Sequence, residues 1–287
     1  MRDFLLITAI FITAVIAVSA GAWPLYAALI PEQSLEFGKF VKWSALLTVA
    51  IATFIVMKRR GMRRITLTGT SQRSLLYLLG GGVVIGFVTL ATLGAAFYAL
   101  DIRVADADKS LAEQILKLFI SVIPAAIVVS LIEETYFRGA QCGVLMREKK
   151  TAMAVVLPAI FYAGVHFLNP PDTVIDDPEW FYGLTLLLAA PAEICRSSDC
   201  VGAAATLFFA GALLGLVRVL GGHLMLCVGI HAGWIAGIKL TRKLTDFNHD
   251  SELAFLANGY DHFTGILAAA WLAVLCAWLV KRLVENP

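Results

Sequence analysis

The sequence predicts an all-α fold, a polytopic membrane helical bundle of about eight transmembrane helices. Three observations carry that reading. The 287 residues are 59% hydrophobic and only 15% charged, against roughly 45–50% and about 25% in a soluble domain. Mean hydropathy is +0.80, more apolar surface than a soluble fold of this size can hide. The apolar residues also fall in runs near the ~20 that a helical span requires. This composition sets aside a soluble enzyme, a disordered chain, a secreted disulfide scaffold and a nucleic-acid-binding domain. The net charge of +2 is too small to name a partner.

Each run can be justified in order. The first, 4–30, is interrupted by Pro24. Runs 40–57 and 75–100 follow. Run 116–146 is long and carries ionisable residues inside it, and 152–168 is shorter. Runs 203–220 and 224–239 are joined by a Gly221-Gly222 turn, and 263–280 is last. The stretch 180–194 is short for a span and contains Pro191. It reads as an interfacial or re-entrant helix, in preference to a ninth span, within an insertion near 169–201. Arg2, an apolar run and Val18-Ser19-Ala20 fit a cleaved signal peptide, but the run continues to Ile30, so a retained first span is expected. Residues 1–287 thus read as a single integral membrane domain, with no internal repeat.

Loop charge sets the orientation. Lys58, Arg59, Arg60, Arg63, Arg64 and Arg73 share one loop; Arg147, Lys149 and Lys150 share another; Lys281 and Arg282 follow the last span. Eight spans place all three groups, and both termini, in the cytoplasm. Asp101, Asp106, Asp108 and Glu113 then lie outside, with Asp172, Asp176, Asp177 and Glu179 of the insertion. Lys239, Arg242 and Lys243 are the exception, falling outside. Cys142, Cys227 and Cys276 read as small hydrophobes. Cys195 and Cys200 are close enough for a disulfide if their loop is extracytoplasmic, although the spacing does not demand one.

Ionisable residues inside apolar spans are costly and mark function. One span carries Glu133, Glu134 and Arg138, the next ends Tyr162-x-x-x-His166, and a later one contains His231. At a rise of ~1.5 Å, Glu133 is roughly 21 Å of helix from Arg147 and His166 about 24 Å from Lys150. Those antiparallel neighbours bring the two side chains to similar depth. His231 is roughly 16 Å from its own turn by the same rise, so tilt must close the gap. Glu134 and Arg138 stand i, i+4, suited to a salt bridge, which leaves Glu133, about 100° round the helix, to face a different partner. Tyr162 and His166 are also i, i+4, which lays the phenol on the imidazole's face. Gly229, Gly233 and Gly237 flank His231, and Gly211 and Gly215 repeat the spacing on the preceding helix. Such steps let membrane helices approach closely.

The chemistry that fits is water activation. A carboxylate beside an imidazole can take a proton from water, while the second imidazole holds an oxyanion or donates to a leaving group. Alternatively, Glu133, His166 and His231 could bind zinc, whose water becomes the nucleophile. Taken singly, each histidine is as well explained by packing and the Glu–Arg pair by a structural brace.

The ordered set Glu133-Glu134-x-x-x-Arg138, Tyr162-x-x-x-His166 and His231, over roughly 115–240, resembles the CPBP family. These are the CAAX-protease and bacteriocin-processing (Abi) intramembrane proteases, related to type II CAAX prenyl endopeptidases. The resemblance implies a catalytic core at 115–240 and an endopeptidase acting on peptide or membrane-protein substrates in a bilayer, the bacterial inner membrane. It implies Glu133 as general base, Glu134 and Arg138 in support, and His166 and His231 as its partners, with zinc or with no metal. Two departures stand out. Tyr162 replaces the usual Phe, and Ile235 occupies the place of an Asn or Asp four residues after His231. Ile235 is the basis of an alternative, a catalytically degenerate membrane scaffold or immunity protein. Other readings lack their signatures. There is no HExxH or GxSxG, no GxGD beside Tyr260-Asp261, no broken-helix repeat for a proton-coupled transporter, and a bis-His haem site would not require the glutamates.

Overall fold

A computed structural model describes residues 1–30, 36–59, 74–106, 110–168, 178–195, 200–221, 223–257 and 261–285. Several orientation charges, namely Arg60, Arg63, Arg64, Arg73, Asp108, Asp172, Asp176 and Asp177, lie outside the described residues, as do Gly222 and Tyr260. The first apolar run is two helices, α1 (Arg2–Ala20) and α2 (Ala22–Leu29). The break falls at Gly21 and not at Pro24. Pro24 is the third residue of α2, where a helix has no use for the missing N–H. There follow α3 (Phe37–Arg59), α4 (Leu75–Ala99), α5 (Leu111–Arg147), α6 (Thr151–His166), α7 (Tyr182–Ile194), α8 (Cys200–Gly221), α9 (Leu224–Leu244) and α10 (Ile266–Glu285). A short antiparallel ribbon pairs β1 (Arg103–Ala105) with β2 (Thr245–Phe247) and ties the end of α4 to the end of α9.

Among the described residues, seven helices are long and apolar enough to cross a membrane: α1, α3, α4, α5, α8, α9 and α10. The eighth predicted run is the shorter α6, of 16 residues. The chain is an integral membrane protein built as an all-α bundle. The interfacial stretch forms α7, whose 13 residues fall short of the ~20 needed to span. Gly183 lets α7 sit on Ser19, Ala22 and Phe37, and Tyr182 stacks on Phe37 at 5.6 Å. With Trp23 and Tyr26 these form an aromatic cluster apart from the main core. Cys195 and Cys200 are joined by a disulfide; Cys142, Cys227 and Cys276 are buried thiols. The N-terminal ammonium pairs with Glu148 in the α5–α6 turn. Lys150 and that ammonium hold the Glu148 carboxyl down at about 2.

The bundle is arranged around α8 and α9, which are 56% and 61% buried along their apolar windows, against 22% or less for the other five. The outer helices turn Leu47, Val84, Phe119, Ile120 and Trp278 outward, as a hydrocarbon solvent permits. α9 packs on α4 and α5, and α8 on α6 and α10. Contact between α4 and α9 is backbone to backbone. A Cβ on Gly82 would lie 2.6 Å from the Leu226 carbonyl oxygen and 2.8 Å from the Gly229 Cα; one on Gly86, Gly229 or Gly233 would also meet backbone. The glycines around His231 therefore have a partner stripe, Gly82 and Gly86, on α4. At the other central helix, Gly211 and Gly215 admit Ala159, Tyr162 and Val155 of α6. The Thr206 hydroxyl donates to the Gly202 and Gly265 carbonyls, joining α8 to the start of α10.

α5 is not uniformly α-helical. It contains two π-helical segments, Leu118–Val122 and Thr135–Gln141. The second begins immediately after Glu134 and includes Arg138. Such wide turns are uncommon, disturb the regular backbone ladder, and recur at functional sites.

Candidate active site

α5, α6, α8 and α9 bring the predicted polar residues together. Glu134 is fully buried. Its Oε1 accepts from Arg138 Nη1 and from His231 Nδ1, both at 2.9 Å. The i, i+4 salt bridge is present, and it is extended. Arg138 Nη2 donates to the Gly211 carbonyl of α8 at 2.9 Å, and its guanidinium carbon lies 4.9 Å from the centre of the Tyr162 ring. Tyr136 and Gln141 tie the same segment to α1. Gln141 Nε2 donates to Thr8 Oγ1 and to Tyr136 Oη, whose hydroxyl donates to the Ile7 carbonyl.

Glu133 faces a partner other than Arg138, the imidazole of His231, which it shares with Glu134. Glu133 Oε2 stands 3.9 Å from His231 Nε2, so both carboxylates address one imidazole. The reason is geometric: the two nitrogens of an imidazole lie on different edges of the ring, and neighbouring helical residues can straddle it. The two carboxylates differ in access, with the Glu133 side chain 20% exposed and that of Glu134 fully enclosed. Glu133 Oε2 and Glu134 Oε2 have no hydrogen-bond partner among the described residues.

His166 sits at the end of α6. Its Nδ1 lies 2.7 Å from the Tyr162 carbonyl oxygen, and its ring is 4.1 Å from that of Tyr162. Tyr162 thus lies on the imidazole as its spacing predicted, and its ring is also 6.1 Å from His231. Glu133 and His231 are within electrostatic reach of His166, as is Lys42 of α3. Carbonyl and carboxylate oxygens only accept, so Nδ1 carries the proton in both imidazoles. In the neutral rings each Nε2 is then a bare acceptor.

Two Nε2 lone pairs and a carboxylate are donor types that suit zinc. The side chains do not converge as such a set, however. Among the described residues no three His, Cys, Asp or Glu groups are placed to hold a metal ion.

Some residues escaped the sequence reading. Arg218 of α8 is buried, and its Nε donates to the Arg138 carbonyl at 3.4 Å. Its signal was present, a cation inside an apolar run, but its nearness to the Gly221-Gly222 turn disguised it as a flank. Trp234 lies one turn beyond His231, with ring centres 6.4 Å apart. Its indole N–H is buried without a hydrogen-bond partner among the described residues. Ile235 is half-buried and offers no polar atom.

Residues 115–236 match the family model described as Type II CAAX prenyl endopeptidase Rce1-like. No curated protein matches the chain. The matched stretch holds Glu133, Glu134, Arg138, Tyr162, His166, Arg218 and His231, so the core of this chain is similar to the Rce1-like type II CAAX prenyl endopeptidases over those residues.

Proposed function

We propose that the protein is an intramembrane endopeptidase that hydrolyses peptide bonds of membrane-associated substrates by activating water at Glu133. The observation that carries this reading is the pairing of a partly accessible Glu133 with His231, whose far nitrogen is fixed by the enclosed Glu134–Arg138 pair. Glu133 Oε2 and His231 Nε2, 3.9 Å apart, are both acceptors, and a gap of that width suits a water that donates to each. The water oxygen attacks the peptide carbonyl carbon as its proton passes to Glu133. The same proton then goes from Glu133 to the leaving amine nitrogen as the C–N bond breaks. Glu134 is a positioning residue, because it fixes the His231 tautomer and ring plane. His166, anchored through Nδ1, lies within electrostatic reach of Glu133 and His231 and adds a third polar group to the site.

The test is cleavage of membrane-peptide substrates in proteoliposomes by wild type, Glu133→Gln and His166→Ala. Loss of a proton-transfer group costs on the order of 10²–10⁴-fold in rate, and Glu133→Gln is expected to lose that much. Unchanged cleavage in both variants overturns the assignment. Full activity after chelation agrees with water activation by side chains alone, whereas loss restored by zinc replaces it with a metal-assisted reaction.

Ile235 favours the second reading, a degenerate scaffold or immunity protein. An inactive wild type that gains cleavage on Ile235→Asn supports it. We place both termini in the cytoplasm of a bacterial inner membrane. The Cys195–Cys200 disulfide supports an oxidising side for the insertion, and a C-terminal reporter that functions only in the cytoplasm checks the placement.

A further inference from the structure

The π-helical segment Thr135–Gln141 directly follows Glu133 and Glu134. Wide turns pair N–H and C=O groups out of the regular register, and inside a bilayer no solvent compensates a poorly paired carbonyl. The Arg138 carbonyl lies in this segment. Its partner from another helix is Arg218 Nε of α8, at 3.4 Å. Seven residues earlier on the same helix, Gly211 offers its own carbonyl to Arg138 Nη2 at 2.9 Å. Seven residues are two helical turns, so Gly211 and Arg218 share a face. α8 therefore grips Arg138 twice, receiving a bond from its side chain and giving one to its main chain. Formal charge points the same way. Glu133 and Glu134 are two buried or half-buried carboxylates, and Arg138 balances only one. Arg218, 3% exposed, is a second buried cation beside Arg138.

We infer that Arg218 is a positioning residue for the proposed peptidase reaction, acting on Glu133 and Glu134 through the main chain of the π turn and touching no substrate. The inference rests on the peptidase reading, and its test also has a readout that does not.

Full-length Arg218→Met and Arg218→Lys are compared with wild type. For Arg218→Met, kcat on a membrane peptide falls about tenfold to a hundredfold, the worth of a lost hydrogen bond to a charged group, with KM unchanged. Arg218→Lys, which keeps a cationic donor, recovers most of the loss. In parallel, reaction of Cys142 with N-ethylmaleimide is followed by peptide mass mapping. Cys142 directly follows the π turn, is buried, and lies within electrostatic reach of Arg218, so its labelling rises in Arg218→Met and stays low in Arg218→Lys. If Arg218→Met does not fold, Arg218→Gln is read in the same way. An unchanged kcat, a change confined to KM, or Cys142 labelling that stays at the wild-type level overturns the inference. If wild type cleaves nothing, the peptidase reading fails, while the Cys142 labelling still decides whether Arg218 holds the π turn.

Discussion

On one face of α9, Gly229 and Gly233 lie against the backbone of α4 at Gly82 and Gly86. On the opposite face, His231 reaches Glu134 of α5 at 2.9 Å. The first contact is made by removing side chains, so that dispersion between closely approaching backbones holds the helices. The second is made by burying charge, which is tolerable only because each group is paired. The glycine face fixes where α9 stands, and the polar face fixes which way its imidazole points. The difference teaches that position and chemistry are separable in this helix. Substitutions on the two faces should separate them experimentally.

The largest effect is expected on the polar face. Glu134→Gln removes the counter-charge of a buried Arg138 and costs about 3–5 kcal/mol of stability, read as a fall in melting temperature in detergent. Adding Arg138→Met to that variant removes the orphaned charge as well and should restore much of the stability. Cleavage should stay lost in the double variant, because the carboxylate and its Arg138 clamp that fix His231 are gone. If the double variant is no more stable than the single one, the pair is not the unit that the geometry suggests.

The glycine face gives a smaller and sharper contrast between two adjacent residues. Gly82→Ala places a methyl group 2.6 Å from the Leu226 carbonyl oxygen and 2.9 Å from the Ile230 nitrogen. Both are backbone atoms that cannot turn aside, and overpacking of this kind costs about 1–3 kcal/mol. Gly81→Ala meets nothing within 4 Å and should be neutral or stabilising by up to about 1 kcal/mol, since alanine is the better helix former. Equal melting temperatures for the two variants would show that α4 and α9 are not in backbone contact.

The two faces were also unequally legible in the sequence. Ionisable residues in apolar runs identify themselves, so Glu133, Glu134, Arg138, His166 and His231 could all be singled out. Their depths followed from helical rise. The shared use of His231 by both glutamates did not follow, because spacing gives the angle between two side chains and not the size of the group between them. On the glycine face, the stripe of α9 was visible from its four-residue period. Its partner was hidden, because Gly80, Gly81 and Gly82 are consecutive and composition cannot say which one faces a neighbour. The π turn left no local signal, and Arg218, visible as a cation inside an apolar run, could not be given a purpose without that turn. The break at Gly21 was misassigned to Pro24 for a related reason: proline disrupts a helix interior but is accepted in a first turn.

The smallest effect concerns the ribbon that closes the far end of α9, where protons rather than packing test the contact. Arg103 is buried there. Its Nε and Nη2 donate to Thr245 Oγ1 and the Thr245 carbonyl, and its Nη1 donates to the His262 carbonyl. The His262 ring stacks on Phe247 at 4.4 Å and stands 5.4 Å from His249. Burial, and then the neighbouring His249, push the His262 pKa below its ordinary value; Arg103 and Arg242 act in the same direction, and Asp261 opposes them. A histidine whose folded pKa is depressed binds fewer protons folded than unfolded. Its contribution is therefore intact above the ordinary value of ~6.5 and is lost as pH falls through the folded value. Amide protection factors in Arg103–Ala105, corrected for the intrinsic pH dependence of exchange, should fall on acidification below about pH 6.5, and His262→Phe, which keeps the stack without the charge, should flatten that dependence. The α4–α9 glycine contact carries no titrating group, so protection factors around Gly82 and Gly86 should not change over the same range. A parallel loss of protection at both ends of α4 would mean that acid loosens the whole bundle and not the His262 contact.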